Sequence, residues 1–232
     1  MDKLKHPIIV DFPLRGEWSA PHTPASKVPS HGTDMLGQRY AYDFMRVNWE
    51  KKQRYFFKTG IRSYLFPGIP LEKCLGWSEN IYAPCDGKII EAKNGCKERQ
   101  RVHFITDMSV IISHALFFNP IKHDIRTIVG NYIIMEFNHI YALFAHLRLN
   151  SICVTEGQEV KCGDLLGQVG HSGNSTAPHL HFQLMDNPDL FKANGIPCAF
   201  RAYELFENGT WIDMADQIPS DKDRFRVMNE AF

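Results

Sequence analysis

Apolar and polar residues alternate along much of this chain, and the alternation is cleanest near residue 180. In Pro178-His179-Leu180-His181-Phe182-Gln183-Leu184 every second residue is apolar. Strand side chains point to opposite faces in turn. Leu180, Phe182 and Leu184 therefore face a core, and His179, His181 and Gln183 share the other face. Pro178 stands at the first position, where a missing N–H does least harm to a ladder. Tyr132 to Phe137 and Tyr141 to Leu147 read as an antiparallel pair, and His146 falls at the end of its second strand.

The rest of the chain carries weaker versions of the same pattern. Ile8-Ile9-Val10 and Tyr40 to Arg46 read as strands, and residues 51–79, with Gly60, Pro67, Gly68 and Pro70, read as an irregular loop. Asp86-Gly87 is a hairpin signal between Tyr82-Ala83-Pro84 and the strand Lys88 to Ala92. Thr106 to Phe118 fits a helix capped by Thr106 or Asp107, although Val110, Ile111 and Ile112 also suit a strand. After residue 150, short apolar segments are separated by Gly-bearing turns, and Ala199 to Leu205 with Gly209-Thr210-Trp211 suggests a closing hairpin.

The fold class expected is mainly β: an antiparallel β-sandwich or barrel-like domain with a partly helical insertion. Its divisions are an extended N-terminal arm over residues 1–30, a domain over 31–190 with the insertion at 98–129, and a C-terminal extension over 191–232 packed on the domain.

Composition narrows the function classes. Lys plus Arg equals Asp plus Glu, so the formal net charge is zero, which removes the usual electrostatic case for nucleic acid. The local run Lys97-Glu98-Arg99-Gln100-Arg101 is short and mixed in sign, and reads as a solvated loop. No apolar stretch approaches the roughly 20 residues that span a bilayer, so no membrane insertion is expected. The start, MDKLKHPIIVDFPLRG, is basic but breaks at Asp11 and does not read as a secretory signal. The compartment stays open: cytoplasmic as written, extracytoplasmic if a signal has been removed. Cys74, Cys85, Cys96, Cys153, Cys162 and Cys198 show no CxxC spacing and are expected as free thiols. The oligomeric state is not legible.

Candidate chemistry centres on histidine. Two imidazoles on one strand face can address a common centre, as metal ligands or as proton carriers. Taken alone the pair is equally a feature of an open sheet surface. The polar Gly170-His171-Ser172-Gly173-Asn174-Ser175-Thr176-Ala177 loop just before it is of the kind that borders binding sites. His146 could as well be a core histidine bonded to a backbone carbonyl. A catalytic metal takes about three protein ligands, and the upstream candidates are His31, Asp34 and Asp43, of which Asp34 also suits a plain turn.

Read together, these segments resemble the lysostaphin-type zinc endopeptidases that cut peptidoglycan peptides. The stretches that carry the resemblance, in order, begin with Ala83-Pro84-Cys85-Asp86-Gly87-Lys88-Ile89, Gly130 to Ile134 and Phe144-Ala145-His146-Leu147. They continue with Val154 to Val160, Gly163 to Gly170, Ser172 to Ser175 and Pro178-His179-Leu180-His181-Phe182. The resemblance implies one Zn2+ ion with His181 as a ligand, His179 and His146 serving catalysis, and a His and an Asp near the start of the domain completing the metal site.

That last pair departs from the family pattern. The family's HxxxD spacing occurs here only as His103 to Asp107, inside the insertion and out of order. Asp43, in Tyr42-Asp43-Phe44, matches the family's Asp strand, but Arg39 stands four residues before it and the preceding His is His31, twelve residues before. The reading is that Gly32 to Gln38 is an inserted loop, that His31, Asp43 and His181 bind the metal, and that Asp34 is a reserve. The chain lacks HExxH, so its proton carriers would be histidines. The expected activity is a zinc metalloendopeptidase acting on peptidoglycan or another peptide. The alternatives are an inactive member of the fold that binds or regulates cell-wall enzymes, and a carrier domain, either lipoyl- or biotinyl-like as Ile152 to Gly170 suggests, or a phosphohistidine domain using His146 and His179.

Overall fold

The structure is a computed structural model describing residues 6–50, 53–117 and 124–228. The ends of the arm and of the C-terminal extension, and residues 118–123 of the insertion, lie outside the described residues. One twelve-stranded sheet dominates. In chain order its strands are β1 (Ile8–Val10), β2 (Gly16–His22), β3 (Tyr42–Met45), β4 (Gly87–Lys93), β5 (Asn131–Phe137) and β6 (Ile140–Leu147). They continue as β7 (Glu159–Val160), β8 (Leu180–Met185), β9 (Gly195–Ile196), β10 (Cys198–Glu207), β11 (Thr210–Gln217) and β12 (Phe225–Val227). The spatial order is β1-β10-β12-β2-β3-β8-β6-β5-β4-β7, with β9 alongside β8 and β11 alongside β10. The fold is mainly β, as the alternation implies. Its pairings are antiparallel except β1 with β10, which is parallel.

The two faces of the central strands differ. Leu180, Phe182 and Leu184 of β8 join Phe12, Trp18, Tyr42, Phe44, Phe144, Phe200 and Phe225 in one aromatic-rich core. Burying a Phe in such a core is worth about 3–5 kcal/mol against Ala. The opposite face is apolar at one end, where Ile134, Leu143, Ala145 and Met185 cluster with Leu190 and Ala193. At its other end the same face is polar, and there Asp43, His179, His181 and Gln183 are buried together.

Segments outside the expected domain supply sheet strands. β2 lies between β12 and β3, and Trp18 on it is fully buried. The expected hairpin at Asp86-Gly87 is absent: Asn80–Tyr82 pairs with Leu165–Gln168 in a separate two-stranded ladder, while β4 pairs with β5 and β7. The Asp86 carboxylate instead accepts from Lys161 Nζ at 2.8 Å and the Cys162 N–H at 2.9 Å, which ties the turn sideways to another loop. Residues 51–79 contain a short helix, α1 (Ile61–Leu65), and a strand Ile69–Pro70 paired with Arg101–Val102. The insertion forms the helix α2 (Phe104–Phe117). Its start is braced by Asp107, whose Oδ2 accepts the His103 N–H at 2.8 Å. The six cysteines are free, as expected. Among the described residues no helix is long and apolar enough to cross a membrane.

Candidate metal and catalytic centre

Strand register brings the expected residues together. His181 on β8 sits directly opposite Asp43 on β3 and opposite Ala145 on β6. The small Ala145 side chain leaves the space above the sheet to the imidazoles. Asp43 Oδ1 lies 3.0 Å from His181 Nδ1 and 3.5 Å from His179 Nε2, while Oδ2 lies 3.1 Å from His31 Nε2. His31 arrives from the loop before the two kinked 3-10 turns of Met35–Tyr40, and its ring centroid is 4.9 Å from that of His181. Asp34 takes no part: it is exposed and paired with Arg39 at 2.8 Å. The His103 and Asp107 pair is used at the start of α2.

His146 reaches the site through a break in the strand. Phe144 packs in the aromatic core, so strict alternation would send His146 the same way. Its φ is +62°, in the left-handed region, and the β5–β6 register shifts here, between Asn131 and Ile133. The ring consequently lies 4.7 Å from that of His179 and 6.0 Å from that of His181, while Leu147 takes the core position. A left-handed non-glycine residue costs on the order of 1–3 kcal/mol and collects at functional sites.

Hydrogen bonds fix how each ring presents itself. The Gln183 amide donates to the Leu36 carbonyl at 2.7 Å, so its Oε1 accepts from His181 Nε2 at 2.9 Å and His181 Nδ1 is left with a lone pair. His179 Nδ1 donates to the Ala177 carbonyl at 2.7 Å, leaving the Nε2 lone pair toward Asp43. The Ser30 hydroxyl donates to the Gln38 carbonyl at 3.2 Å and accepts from His31 Nδ1 at 3.0 Å, which leaves Nε2 as the acceptor. That buried His31 Nε2 has no hydrogen-bond partner; at 3.1 Å from Oδ2 it faces another acceptor. His146 Nδ1 donates to the Ser172 carbonyl at 2.9 Å, so its Nε2 is free.

Neutral imidazoles thus aim nitrogen lone pairs at a carboxylate, an arrangement that repels itself unless a cation or a proton lies between. A buried polar group without a partner calls for such an explanation. With protons in place of a cation the rings answer the carboxylate: burial alone would raise the Asp43 carboxyl, but attraction to a protonated His179 and hydrogen bonds from His179, His181 and His22 in their proton-donating forms outweigh it and hold it well below the carboxylate range. His179 is opposed by burial and lifted above the ordinary histidine value by Asp43. Burial, with His179 and His181 adding to it, pushes His146 far down, and burial also lowers His31 despite Asp43. The donor set is imidazole nitrogen and carboxylate oxygen, which suits a divalent metal such as zinc.

The sequence reading missed His22. It ends β2 in register with Asp43, and its Nδ1 lies 2.8 Å from Oδ2 with a half-exposed side chain. Ligand atoms of His22, His31 and Asp43 all fall within 4.8 Å of one another. The signal that could have found it is its place in a strand beside Asp43, and the pairing of β2 with β3 is not visible in the sequence.

The fold and the histidine–carboxylate centre define a metallopeptidase-like protein. The model of Peptidase family M23 matches residues 74–193, more than half of the chain, and the chain belongs to that family as a lysostaphin-type member. His31 and Asp43 precede the matched segment. The chain is 41% identical over 56 residues to peptidoglycan DD-endopeptidase ShyB of Vibrio cholerae, covering 24% of this chain and 13% of that protein. It is 48% identical over 42 residues to glycyl-glycine endopeptidase ALE-1 of Staphylococcus capitis, covering 18% of this chain and 12% of the relative. The alignments therefore span a small part of these relatives' lengths. Among solved structures, the catalytic domain of lysostaphin from Staphylococcus simulans aligns with a TM-score of 0.36 at 20% identity, over 78% of this chain and 88% of that one.

Proposed function

We propose that this chain is a zinc-dependent metalloendopeptidase that hydrolyses peptide bonds in peptidoglycan stem peptides or cross-bridges. The observation that carries the reading is the convergence of imidazole lone pairs, including the unpartnered His31 Nε2, on the Asp43 carboxylate. His31 through Nε2, Asp43, and His181 through Nδ1 would hold a single Zn2+ ion and leave a position open, as catalytic zinc requires. Zinc bound there would polarise a carbonyl and acidify water.

The remaining steps belong to the chain's own side chains. His146 is anchored through Nδ1 to the Ser172 carbonyl and presents Nε2 to the site, where it can take a proton from the attacking water. His179 is anchored through Nδ1 to the Ala177 carbonyl. With a second proton taken up on Nε2, which its raised value favours, the ring would give that proton to the oxygen that gains charge or to the leaving amine, and the proton His146 takes from water restores the balance over a turnover. The sheet floor of Ala145 and the buried surround of these rings keep bulk water from competing with them. The names of the relatives, a peptidoglycan DD-endopeptidase and a glycyl-glycine endopeptidase, support a wall-peptide substrate.

The test combines metal analysis with digestion. Purified protein should bind about one zinc per chain and release new amines from purified sacculi or cross-linked muropeptides. His181→Ala should lose the metal; His179→Ala should keep it and lose turnover. If both variants hold zinc and cleave like the parent, the assignment is wrong. A parent that binds metal and leaves every wall peptide intact would instead favour the non-catalytic, binding member of the fold.

A further inference from the structure

From the Nδ1 edge of His179, the edge opposite Asp43, a chain of polar groups runs to the insertion helix, and the proposed reaction does not use it. His171, Ser175 and Asp107 are buried, and the Arg99 side chain is one-quarter exposed. Arginine can only donate. Arg99 Nη2 meets His171 Nε2 at 3.2 Å, and Asp107 Oδ1 stands beyond hydrogen-bond reach of that nitrogen at 3.6 Å, so the nearer donor gives Nε2 the lone pair and places the ring's proton on Nδ1, 3.1 Å from Ser175 Oγ. The Ser175 hydroxyl donates to the Ala177 carbonyl at 2.7 Å. That same carbonyl accepts the His179 Nδ1–H at 2.7 Å, and Ser175 Oγ stands 3.2 Å from that nitrogen.

The same guanidinium also grips the backbone of this loop. It donates to the Gly173 carbonyl at 3.0 Å and to the Ser175 carbonyl at 2.5 Å. Its own plane is set by Asp107, whose Oδ1 accepts from Arg99 Nε at 2.7 Å while Oδ2 holds the start of α2. A planar fork with four of its five N–H donors committed is a rigid device that lysine does not reproduce. The run around Arg99 read as a solvated loop from the sequence, and the out-of-order His103 and Asp107 spacing had no use there; here Arg99 and Asp107 form one clamp.

We propose that Arg99 and Asp107 are positioning residues for His179, with the insertion fixing the imidazole's tautomer and plane through His171, Ser175 and the loop backbone. The inference rests on the reading that His179 serves the reaction. The clamp leaves His179 with its proton on Nδ1 and its Nε2 aimed into the site, and it makes the insertion part of the catalytic apparatus.

The test uses the zinc-loaded full chain, with Arg99→Met, Arg99→Lys and Asp107→Asn. Three quantities are read: zinc per chain, side-chain 15N–1H correlations of the histidines, and steady-state kinetics on a soluble cross-linked muropeptide. In the parent, His171 and His179 should both appear as the Nδ1–H tautomer. Each variant should keep its zinc, shift or broaden the His179 ring signals, and lower kcat about tenfold or more while KM moves about twofold at most. A folded Arg99→Met whose His179 signals and kcat match the parent overturns the proposal, as does a parent His171 protonated on Nε2. If Arg99→Met does not fold, Arg99→Lys and Asp107→Asn decide by the same readouts. If the parent fails to cut muropeptides, the functional reading is what has failed, and the nitrogen signals alone decide the clamp.

Discussion

Asp43 and His181 face each other across adjacent antiparallel strands, with Oδ1 3.0 Å from Nδ1. The pairing is a consequence of sheet register, so it is as rigid as the ladder that makes it. Slipping β3 by one residue would turn Asp43 into the aromatic core and Tyr42 out of it. Burial of Tyr42 and Phe44 on either side of Asp43 therefore holds the carboxylate in place.

The far side of the His181 ring yields the first prediction. Gln183 accepts the Nε2–H, and its amide is itself anchored on the Leu36 carbonyl. Partners of this kind fix the ring nitrogen offered to a metal, and their loss costs about 10–100-fold in affinity. Gln183→Ala should weaken zinc binding by that factor while leaving the stoichiometry unchanged. Competition against a chromophoric chelator measures it, and an unchanged affinity would remove Gln183 from the site.

His22 is expected to act more weakly and in the same direction. Its Nδ1 donates to Asp43 Oδ2, but half of its side chain is in solvent. His22→Ala should lower zinc affinity about tenfold and leave one ion bound per chain. A total loss of metal would make His22 a ligand in place of His31. The paired titration of His31→Ala, which should abolish binding, separates the two outcomes.

The site was legible where it obeys a local rule. The alternation in β8 gives the common face of His179, His181 and Gln183, because the period-two rule needs no knowledge of neighbours. Asp43 is visible as a carboxylate inside an apolar strand. His22 is not, since only the pairing of β2 with β3 brings it to Asp43. The hairpin expected at Asp86-Gly87 failed for the same reason: a turn signal cannot reveal that the strands on either side belong to different ladders. Arg99 carried no usable signal. Its partners are Asp107 and residues 171–175, and a mixed charge run looks the same whether its donors meet water or carbonyls.

The left-handed backbone at His146 sets activity against stability. An imidazole there keeps φ at +62°, a conformation that glycine adopts without the Cβ penalty of roughly 1–2 kcal/mol. His146→Gly and His146→Ala should both lose turnover, because each removes the Nε2 that faces the site. They should differ in stability: the glycine variant should be about 1 kcal/mol more stable than the alanine variant. Urea unfolding of the two variants checks this. Equal midpoints would mean that the backbone relaxes once the ring is gone.

The acid sensitivity of the loop before His179 follows from His171. Burial, with the Arg99 cation adding to it, lowers His171 below the ordinary histidine value of 6.5, although Asp107 opposes the shift. A histidine whose folded value is depressed binds its proton more readily once unfolded. Its neutral form therefore supports the fold fully above roughly pH 6.5, and that support is lost progressively as the pH falls below this toward the depressed folded value. Within that window the loss approaches about 1.4 kcal/mol per pH unit. His171→Gln can still accept from Arg99 and donate to Ser175, but it does not titrate. The unfolding free energies of parent and variant should differ by a constant above neutrality, and the parent should fall relative to the variant as the pH drops below about 6.5. With zinc saturating in both proteins, the proton linkage of the metal site cancels in the difference. A difference that stays flat as the pH falls would mean that His171 takes its proton without cost, against the burial and the donor-only guanidinium at 3.2 Å that together outweigh Asp107.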